Sequence, residues 1–287
     1  MTAPSAEIAA AFKAACLDEL DAPKPGNVHA FAPGHRMTAA QFERSAAAAA
    51  APIAQAGARV GARIEAAVAA TFAAVGVNTN LGIILLCAPL AAAAERDSSD
   101  LRAAVAAVLA DLDIDDAQHA FSAIVRAAPA GLGRTEQHDV FAPPMVTLRE
   151  AMVAAADRDR IARQYVSGFA DIFEIGEANL IRALRTQSHP RGATLAVYMG
   201  FLAAFPDSHV VRKHGPEPAR AVQHAAASFH QRLQSHASPE DLLPELLAWD
   251  AQLKGKDINP GTSADLTVAT LFAYRLSTIL PPSCNGG

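Results

Sequence analysis

Five polar segments of the chain carry residue types that can bind or transform a phosphorylated substrate. In the first, residues 22–29, two prolines stiffen the backbone around Lys24, and Gly26 permits an unusual turn. Such a loop can present a lysine, an amide and an imidazole at fixed positions, from Lys24, Asn27 and His29. A rigid connector between two helices is an equally good interpretation of the same residues.

The second segment, residues 77–82, stands immediately before the most hydrophobic stretch of the chain. It places Asn78, Thr79 and Asn80 at the predicted start of a helix. Unpaired backbone N–H groups and the helix dipole favour a phosphate or carboxylate there. Ordinary capping by one asparagine is the alternative. Because a cap needs only one amide, the presence of two asparagines favours anion binding.

The third segment, residues 131–139, combines an arginine, two acids and a histidine in a glycine-bearing loop. Either Glu136 or Asp139 could act as a general base. Asp139 could also bind Mg²⁺, which prefers oxygen ligands and commonly bridges phosphates. From the spacing alone, a solvated surface loop is the favoured interpretation.

The fourth segment, residues 207–214, brings Arg212, Lys213 and His214 together before a glycine. This spacing favours phosphate binding, because arginine grips phosphate oxygens through its planar fork and lysine acts as a point charge. Residues 157–163 offer further arginines, but a charged, solvated helix face explains those equally well.

The fifth segment, residues 249–265, ends one helix and begins another. Asn259 suits the turn, Ser263 is expected to cap the new helix, and Asp265 should lie in its first turn. Turn and cap account for the segment without a function. Even so, Thr262, Ser263 and Asp265 together could hold a hydroxyl-rich ligand or a metal ion.

Helices must position these segments. The 287 residues are 51% hydrophobic and rich in alanine, the best helix former, and apolar residues recur every three or four positions. We predict an all-α fold: one compact domain, residues 1–287, of about ten to twelve helices. Capping boxes begin at Thr38 and Thr147. Further predicted caps are Asn78 or Asn80, Ser99, Asp113, Asp157, Ser238 and Ser263.

Composition excludes several classes of function. A net charge of −5 argues against a protein that coats nucleic acid. The most apolar run, Leu81–Ala94, contains Pro89 and is shorter than the roughly 20 residues of a membrane span. Three widely spaced cysteines and the lack of an export signal predict a reducing, cytoplasmic location. The chain has no P-loop, dinucleotide fingerprint, paired-histidine zinc motif or nucleophile elbow.

Three of the segments, taken in order, resemble the triphosphoribosyl-dephospho-CoA synthase family: residues 24–29, 78–82 and 259–265. The resemblance extends from about residue 15 to residue 272. It implies an all-α fold and an Mg²⁺-assisted transfer of the 5-triphosphoribosyl group of ATP. The acceptor is the 2′-hydroxyl of 3′-dephospho-CoA, and adenine is released.

The chain departs from the family pattern at two places. A His-Lys pair is typical where this chain has Asn80 and Leu81, and a second glycine where it has Thr262. Both changes resemble a divergent branch found in archaea and methylotrophic bacteria. Since a lysine at position 81 would bind phosphate, its loss leaves the acceptor, and even the donor, open.

The resemblance also implies roles for the candidate residues. ATP is a β-nucleoside and the family's product linkage is α, so a one-step inverting displacement is expected, by analogy with inverting glycosidases. Asp139 or Glu136 would be the base, and His29 or His214 would protonate the leaving adenine. Asp265 would bind metal or ribose, and Lys24, Arg212 and Lys213 would hold the triphosphate. Further substrate contacts are expected from Asn27, Asn78, Thr79, Asn80, Asn259, Thr262 and Ser263.

Two other functions remain open at this stage. One is a sister ribosyl or phosphoribosyl transferase with another hydroxyl acceptor, for example in the synthesis of a pterin-type one-carbon cofactor. The other is a non-catalytic helical protein that binds a nucleotide and uses its polar loops only as caps. Alanine-rich helix faces would also allow two copies to pair as a homodimer.

Overall fold

The apolar repeats fold into helices throughout the part of the chain that the structure describes. The computed structural model describes residues 3–32, 37–96, 98–129, 133, 137–186, 189–235 and 238–280. Within these residues there is no β-strand, and an isolated bridge joins His29 and Ala32. The predicted all-α class is therefore confirmed.

Fourteen α-helices and one π-helical segment occur among the described residues. They are α1 Ser5–Asp21, α2 Ala39–Ile53, α3 Val60–Val75, α4 Leu81–Ala94, α5 Leu101–Ala110, α6 Ile114–Ala127, α7 Leu148–Ala155, α8 Arg160–Ser167, the π-helical segment Asp171–Gly176, α9 Glu177–Thr186, α10 Pro190–Ala204, α11 Ser208–His214, α12 Pro216–Gln234, α13 Pro239–Gly255 and α14 Gly261–Ile279.

The predicted count of ten to twelve helices was too low. The helices α7, α8 and α11 have only seven or eight residues, and short connections separate them from their neighbours. One or two turns give too few apolar repeats to distinguish a separate helix from the continuation of another.

The caps divide into those placed correctly and those displaced by a residue or more. Thr38, Thr147, Asp113 and Ser238 cap their helices as predicted. The predictions for Ser99, Asp157 and Ser263 were wrong, since the N-caps are Asp100, Asp159 and Pro260. At the first two ends, the nearby Asp100 and Asp159 accept the backbone hydrogen bonds instead.

The core is built around α4, which is apolar on every face and almost wholly buried. It packs against α3, α5 and α14. A second apolar cluster lies among α10, α12 and α13, and both α10 and α14 contribute residues to both clusters. The polar N-termini of α4 and α14 are therefore fixed by two of the best-packed helices.

Among the described residues, no single helix combines the length and apolar composition needed to cross a membrane. Only α10 and α11 taken together reach those values, and they are bent by 53°.

Candidate active site

One cavity of about 590 Å³ collects residues from all five polar segments. Its polar lining comes from the end of α1, the first turns of α4 and α14, the α6–α7 loop, the α7–α8 junction and α11. The polar lining residues are Glu19, Asn27, Asn78, Thr79, Asn80, Gln137, His138, Asp139, Arg158, Asp159, His209, Arg212, Lys213, Asn259, Thr262 and Asp265. Polar segments that are distant in the sequence thus meet at one cavity.

The first turns of α4 and α14 meet inside this cavity. A Cβ atom built on Gly82 would lie 2.0 Å from Oδ2 of Asp265, so a glycine is needed where the carboxylate crosses α4. Burial, with the nearby negative charges of Glu19 and Asp207, raises the pKa of Asp265 well above its ordinary range. The positive charge of Arg212 opposes this rise, so a cation lies close to Asp265.

The proline-rich loop contacts the turn before α14 directly. Gly26 has a φ of +82°. A Cβ there would lie 2.7 Å from Cδ of Pro260, so glycine permits both the turn and the close approach. The side-chain amide of Asn27 donates to Oδ1 of Asn259 at 2.8 Å. These contacts join two of the three segments that carry the family resemblance.

Lys24 does not line the cavity but lies behind it. Its Nζ is 2.6 Å from Oε1 of Glu19 and donates to the Val28 carbonyl at 2.6 Å. Burial raises the pKa of Glu19 and lowers the pKa of Lys24, and the ion pair between them opposes both shifts. Lys24 is fully buried, so the carboxylate that reaches the cavity belongs to its partner.

His29 is also placed behind the loop and is absent from the described cavity lining. Its Nε2 is 3.4 Å from Oδ2 of Asp250, and that carboxylate oxygen also accepts from Lys254 at 2.8 Å. The other carboxylate oxygen of Asp250 accepts from the Gly26 amide at 2.8 Å. The histidine therefore belongs to a group that braces the loop from α13.

Among the described lining residues, the cations are Arg158, Arg212 and Lys213. Arg212 donates to Asp159 at 3.2 Å, and Lys213 forms an ion pair with Asp257 at 2.6 Å. Both side chains are about one third exposed, so their surface pairs can rearrange around a ligand. His214 instead contacts the Asp257 carbonyl at 2.9 Å and is not part of the described lining.

Asp207 locks α11 against the start of α14. One carboxylate oxygen accepts from the amides of His209 and Val210, and the other from the amide and hydroxyl of Ser263. The polar groups of Ser263 thus hold Asp207 in place. The Thr262 hydroxyl lies on the cavity wall, 3.0 Å from the Ser208 hydroxyl.

The remaining predicted residues lie on two other walls. Asn78 accepts from the Leu81 amide at 3.1 Å, and the Thr79 hydroxyl donates to Ser45 at 2.6 Å. Asp139 lines the cavity from the α6–α7 loop and accepts from the Phe141 amide. Glu136, the other proposed base, lies outside the described residues.

The cavity also has an apolar wall. It is formed mainly by α6 and α7 and contains several small side chains. The main contributors are Phe121, Ile124, Leu148, Ala151, Met152, Ala154 and Ala155. A ligand that fills the cavity must therefore carry both an anionic and an apolar part.

Glu19, His138 and His209 line the cavity, and sequence reasoning singled out none of them. Glu19 was the hardest of the three to anticipate. It lies outside every polar segment, on the buried face of α1. Ala15 lies four residues before it on that face, and Phe12 lies three residues before Ala15. An acid in an apolar helix stripe is costly to bury without a partner. The position of Glu19 in this stripe indicates a buried partner. That partner is Lys24, which the sequence analysis assigns to the triphosphate instead.

The described residues were predicted to include metal ligands, but they form no complete metal site by themselves. Among the described residues, no group of three His, Cys, Asp or Glu side chains is arranged to hold a metal ion. Nucleotide-bound Mg²⁺ does not require such a cage, because it is usually held by one or two carboxylates together with substrate phosphates.

Comparison with known proteins extends over nearly the whole chain. A family model described as ATP:dephospho-CoA triphosphoribosyl transferase matches residues 5–282. A solved structure from Archaeoglobus fulgidus, described as a proposed triphosphoribosyl-dephospho-CoA synthase, is similar with a TM-score of 0.61 and 24% identity. The match covers 80% of this chain and 95% of that one, and at this identity it bears on the fold. The chain has no significant match among curated protein sequences.

Proposed function

The chain belongs to the ATP:dephospho-CoA triphosphoribosyl transferase family, and from that premise we propose the reaction that its cavity carries out. The enzyme transfers the 5-triphosphoribosyl group of ATP to the 2′-hydroxyl of 3′-dephospho-CoA and releases adenine. Membership confirms the family resemblance of the three segments. The observation that supports the site is their meeting, with Asn27, Asn80 and Thr262 on the wall of one cavity.

The triphosphate of ATP belongs at the cationic end of this cavity. Arg158, Arg212 and Lys213 lie there, and the N-termini of α4 and α14 add partial positive charge and backbone N–H donors. Asn80, the N-cap of α4, makes no capping hydrogen bond with its side chain. Its amide can therefore turn to a phosphate oxygen.

Asp265 and Asp139 are the residues that we assign to Mg²⁺. Both offer carboxylate oxygens on the cavity wall, the ligand type that Mg²⁺ prefers. A cation would also favour the ionised form of Asp265, whose neighbours include other carboxylates. The ion would neutralise phosphate charge during the transfer.

The apolar wall is the place for the adenine ring. Ala151 and Ala155 offer little bulk there, and Met152 can adapt to a planar group. With the triphosphate at the opposite end, the ribose then lies in the middle of the cavity. The base that leaves and the phosphates that stay are thereby held apart.

Asp139 remains the proposed base for the acceptor hydroxyl. It lines the cavity from the loop between α6 and α7, whereas Asp265 lies on α14. The proposed proton donors His29 and His214 are absent from the described lining, which instead contains His138 and His209. One of these two imidazoles is therefore better placed to protonate adenine.

A second acceptor stays a candidate because of Leu81. This side chain lines the cavity at the first turn of α4, where the family pattern led us to expect a lysine. An apolar side chain cannot bind a phosphate of the acceptor. A related transfer to a different hydroxyl compound, such as a precursor of a pterin-type cofactor, is the alternative that this residue favours.

The test is to incubate the purified protein with ATP, Mg²⁺ and dephospho-CoA and to measure free adenine by chromatography. We expect adenine and a triphosphoribosyl product of matching mass in equal amounts, with neither formed when the acceptor is omitted. Binding of ATP without adenine release would contradict the proposed acceptor, and release with another hydroxyl compound would identify the alternative. Omitting Mg²⁺ tests the metal separately. The homodimer, the single domain and the cytoplasmic location stay predictions.

A further inference from the structure

A carboxylate that belongs to none of the recognised motifs reaches the cavity from the last turn of α1. The Glu19 side chain is only 4% exposed, yet it is part of the cavity wall. Its Oε1 pairs with Lys24, its one ion-pair partner among the described residues. The second oxygen, Oε2, is therefore available to a ligand.

Lys24 fixes the position of this carboxylate. Its ammonium has two buried acceptors, Glu19 and the Val28 carbonyl, each at 2.6 Å, and a third at 3.4 Å in the Asn27 side chain. A lysine held by three groups has little freedom to move. The charge on Glu19 is thereby kept at one place behind the cavity wall.

The distribution of charge indicates what part of a substrate lies at Glu19. Phosphates are attracted to Arg158, Arg212 and Lys213, and they are repelled by the carboxylates of Glu19 and Asp265. A ribose ring has hydroxyl groups that donate to carboxylates. It also becomes positively charged when its bond to a base breaks, so it is the part that a carboxylate stabilises most.

We propose that Glu19 contacts the donor ribose and stabilises the positive charge that develops on it, and that Lys24 is the positioning residue that holds Glu19 there. This inference rests on the proposed function. As the C1′–N9 bond breaks, its electron pair leaves with adenine, and the acceptor oxygen forms the new bond to C1′. The hydroxyl proton passes to the cavity base and one proton is delivered to adenine, so the protons balance.

The first test is Glu19→Gln, which keeps the shape of the side chain and removes its charge. We expect kcat to fall about 100- to 1000-fold, while the Kd of ATP measured by calorimetry changes less than about threefold. Glu95→Gln is the matched control, because Glu95 pairs with the fully buried Arg63 away from this cavity. We expect the control to keep the wild-type kcat.

The second test separates a positioning role of Lys24 from a structural one. If Lys24 acts only through Glu19, then Lys24→Met added to Glu19→Gln lowers kcat of the folded protein no further than Glu19→Gln alone. Lys24→Arg should keep more activity than Lys24→Met. Additive losses in the double variant would overturn the positioning role.

The outcomes distinguish this inference from the proposed function. Wild-type protein that releases adenine while Glu19→Gln does so equally fast overturns the role of Glu19 and leaves the function standing. If Glu19→Gln weakens ATP binding, lowers the thermal unfolding midpoint and lowers kcat together, Glu19 only stabilises the fold. That result also overturns the proposal. If Glu19→Gln does not fold, Glu19→Asp is measured in its place. A wild-type kcat in Glu19→Asp would then overturn the role of Glu19. A wild type that never releases adenine overturns both.

Discussion

Two fully buried cations, Lys24 and Arg63, each hold one carboxylate, but the carboxylates face different surroundings. The Lys24–Glu19 distance is 2.6 Å and the Arg63–Glu95 distance is 2.7 Å. Glu19 lines the large cavity that we assign to the substrates. Glu95 lines a separate cavity of about 340 Å³, near the start of α3 and the end of α4.

The remaining contacts of the two cations explain the difference. Arg63 also donates to the carbonyls of Ile53 at 2.6 Å and Ala58 at 2.9 Å, and so ties the end of α2 to α3. The Lys24 pair instead aligns a side chain at a cavity wall. A buried ion pair is therefore not by itself a sign of function. What its carboxylate faces is the informative observation.

Removing Arg63 should have the largest effect on stability. Arg63→Met leaves Glu95 and two carbonyl groups without their donor, so we expect a loss of about 3–5 kcal/mol in the free energy of unfolding. Urea unfolding measures this loss. Turnover per folded molecule should stay at the wild-type value. A loss of kcat in the folded fraction would show that the Arg63 region also serves the reaction.

Removing the charge of Asp265 should affect turnover as strongly as Glu19→Gln, without a comparable effect on stability. We expect Asp265→Asn to lower kcat about 100- to 1000-fold, because a charge facing the reacting ribose or its metal ion is lost. Steady-state adenine release measures it, and Glu95→Gln serves again as the control. Near-normal turnover in Asp265→Asn would remove this residue from the site.

How much of this site could be predicted depends on the range of the contacts involved. Helix content, the capping boxes at Thr38 and Thr147 and the start of α4 depend on residues within one turn, so the sequence alone indicates them. The family resemblance further indicated that residues 24–29, 78–82 and 259–265 serve one site. The short helix α11 was missed because one or two turns carry too little periodicity.

The roles of single polar residues were harder to predict, because their partners are distant in the sequence. Lys24 looked like a ligand for phosphate until its partner Glu19 was placed on the neighbouring helix turn. Ser263 looked like a cap, but its hydroxyl donates to Asp207, 56 residues away. No local pattern reports such pairings, since they depend on how α11, α14 and the loops pack.

Gly82, beside the substrate cavity, and Gly61, on α3 near Arg63, allow the packing of these two regions to be compared. A Cβ on Gly82 would lie 2.0 Å from the Asp265 carboxylate, whereas a Cβ on Gly61 would lie 2.5 Å from the backbone of Asp116. We expect Gly82→Ala to displace the carboxylate and lower kcat about 10-fold or more. Gly61→Ala should instead cost about 1–3 kcal/mol of stability, since backbone cannot move aside.

Thermal unfolding and adenine release measured on both variants separate these effects. Gly255→Ala is the neutral control, because a Cβ there meets nothing within 4 Å. Equal changes of kcat in the Gly82 and Gly61 variants, per folded molecule, would contradict the division between a substrate region and a structural region.

The smallest expected effect is a pH dependence of stability in the Lys24 region. Burial lowers the pKa of His29 below its ordinary value of 6.5, the positive charges of Lys254 and Lys24 add to this, and Asp250 opposes it. As pH falls through 6.5, the unfolded chain binds a proton that native His29 does not accept. Stability is therefore lost on acidification, and it is regained as the pH rises above 6.5.

His29→Gln should remove this slope, which for one proton is at most about 1.4 kcal/mol per pH unit. Urea unfolding between pH 7.5 and pH 5.5, a range of about two units in which the unfolded imidazole titrates, provides the measurement. The Arg63→Met variant should keep the wild-type slope, because it leaves His29 and its partner Asp250 in place. An equally steep slope in His29→Gln would assign the pH dependence to another group, and the buried histidine would then bind its proton in the native state as readily as in the unfolded chain.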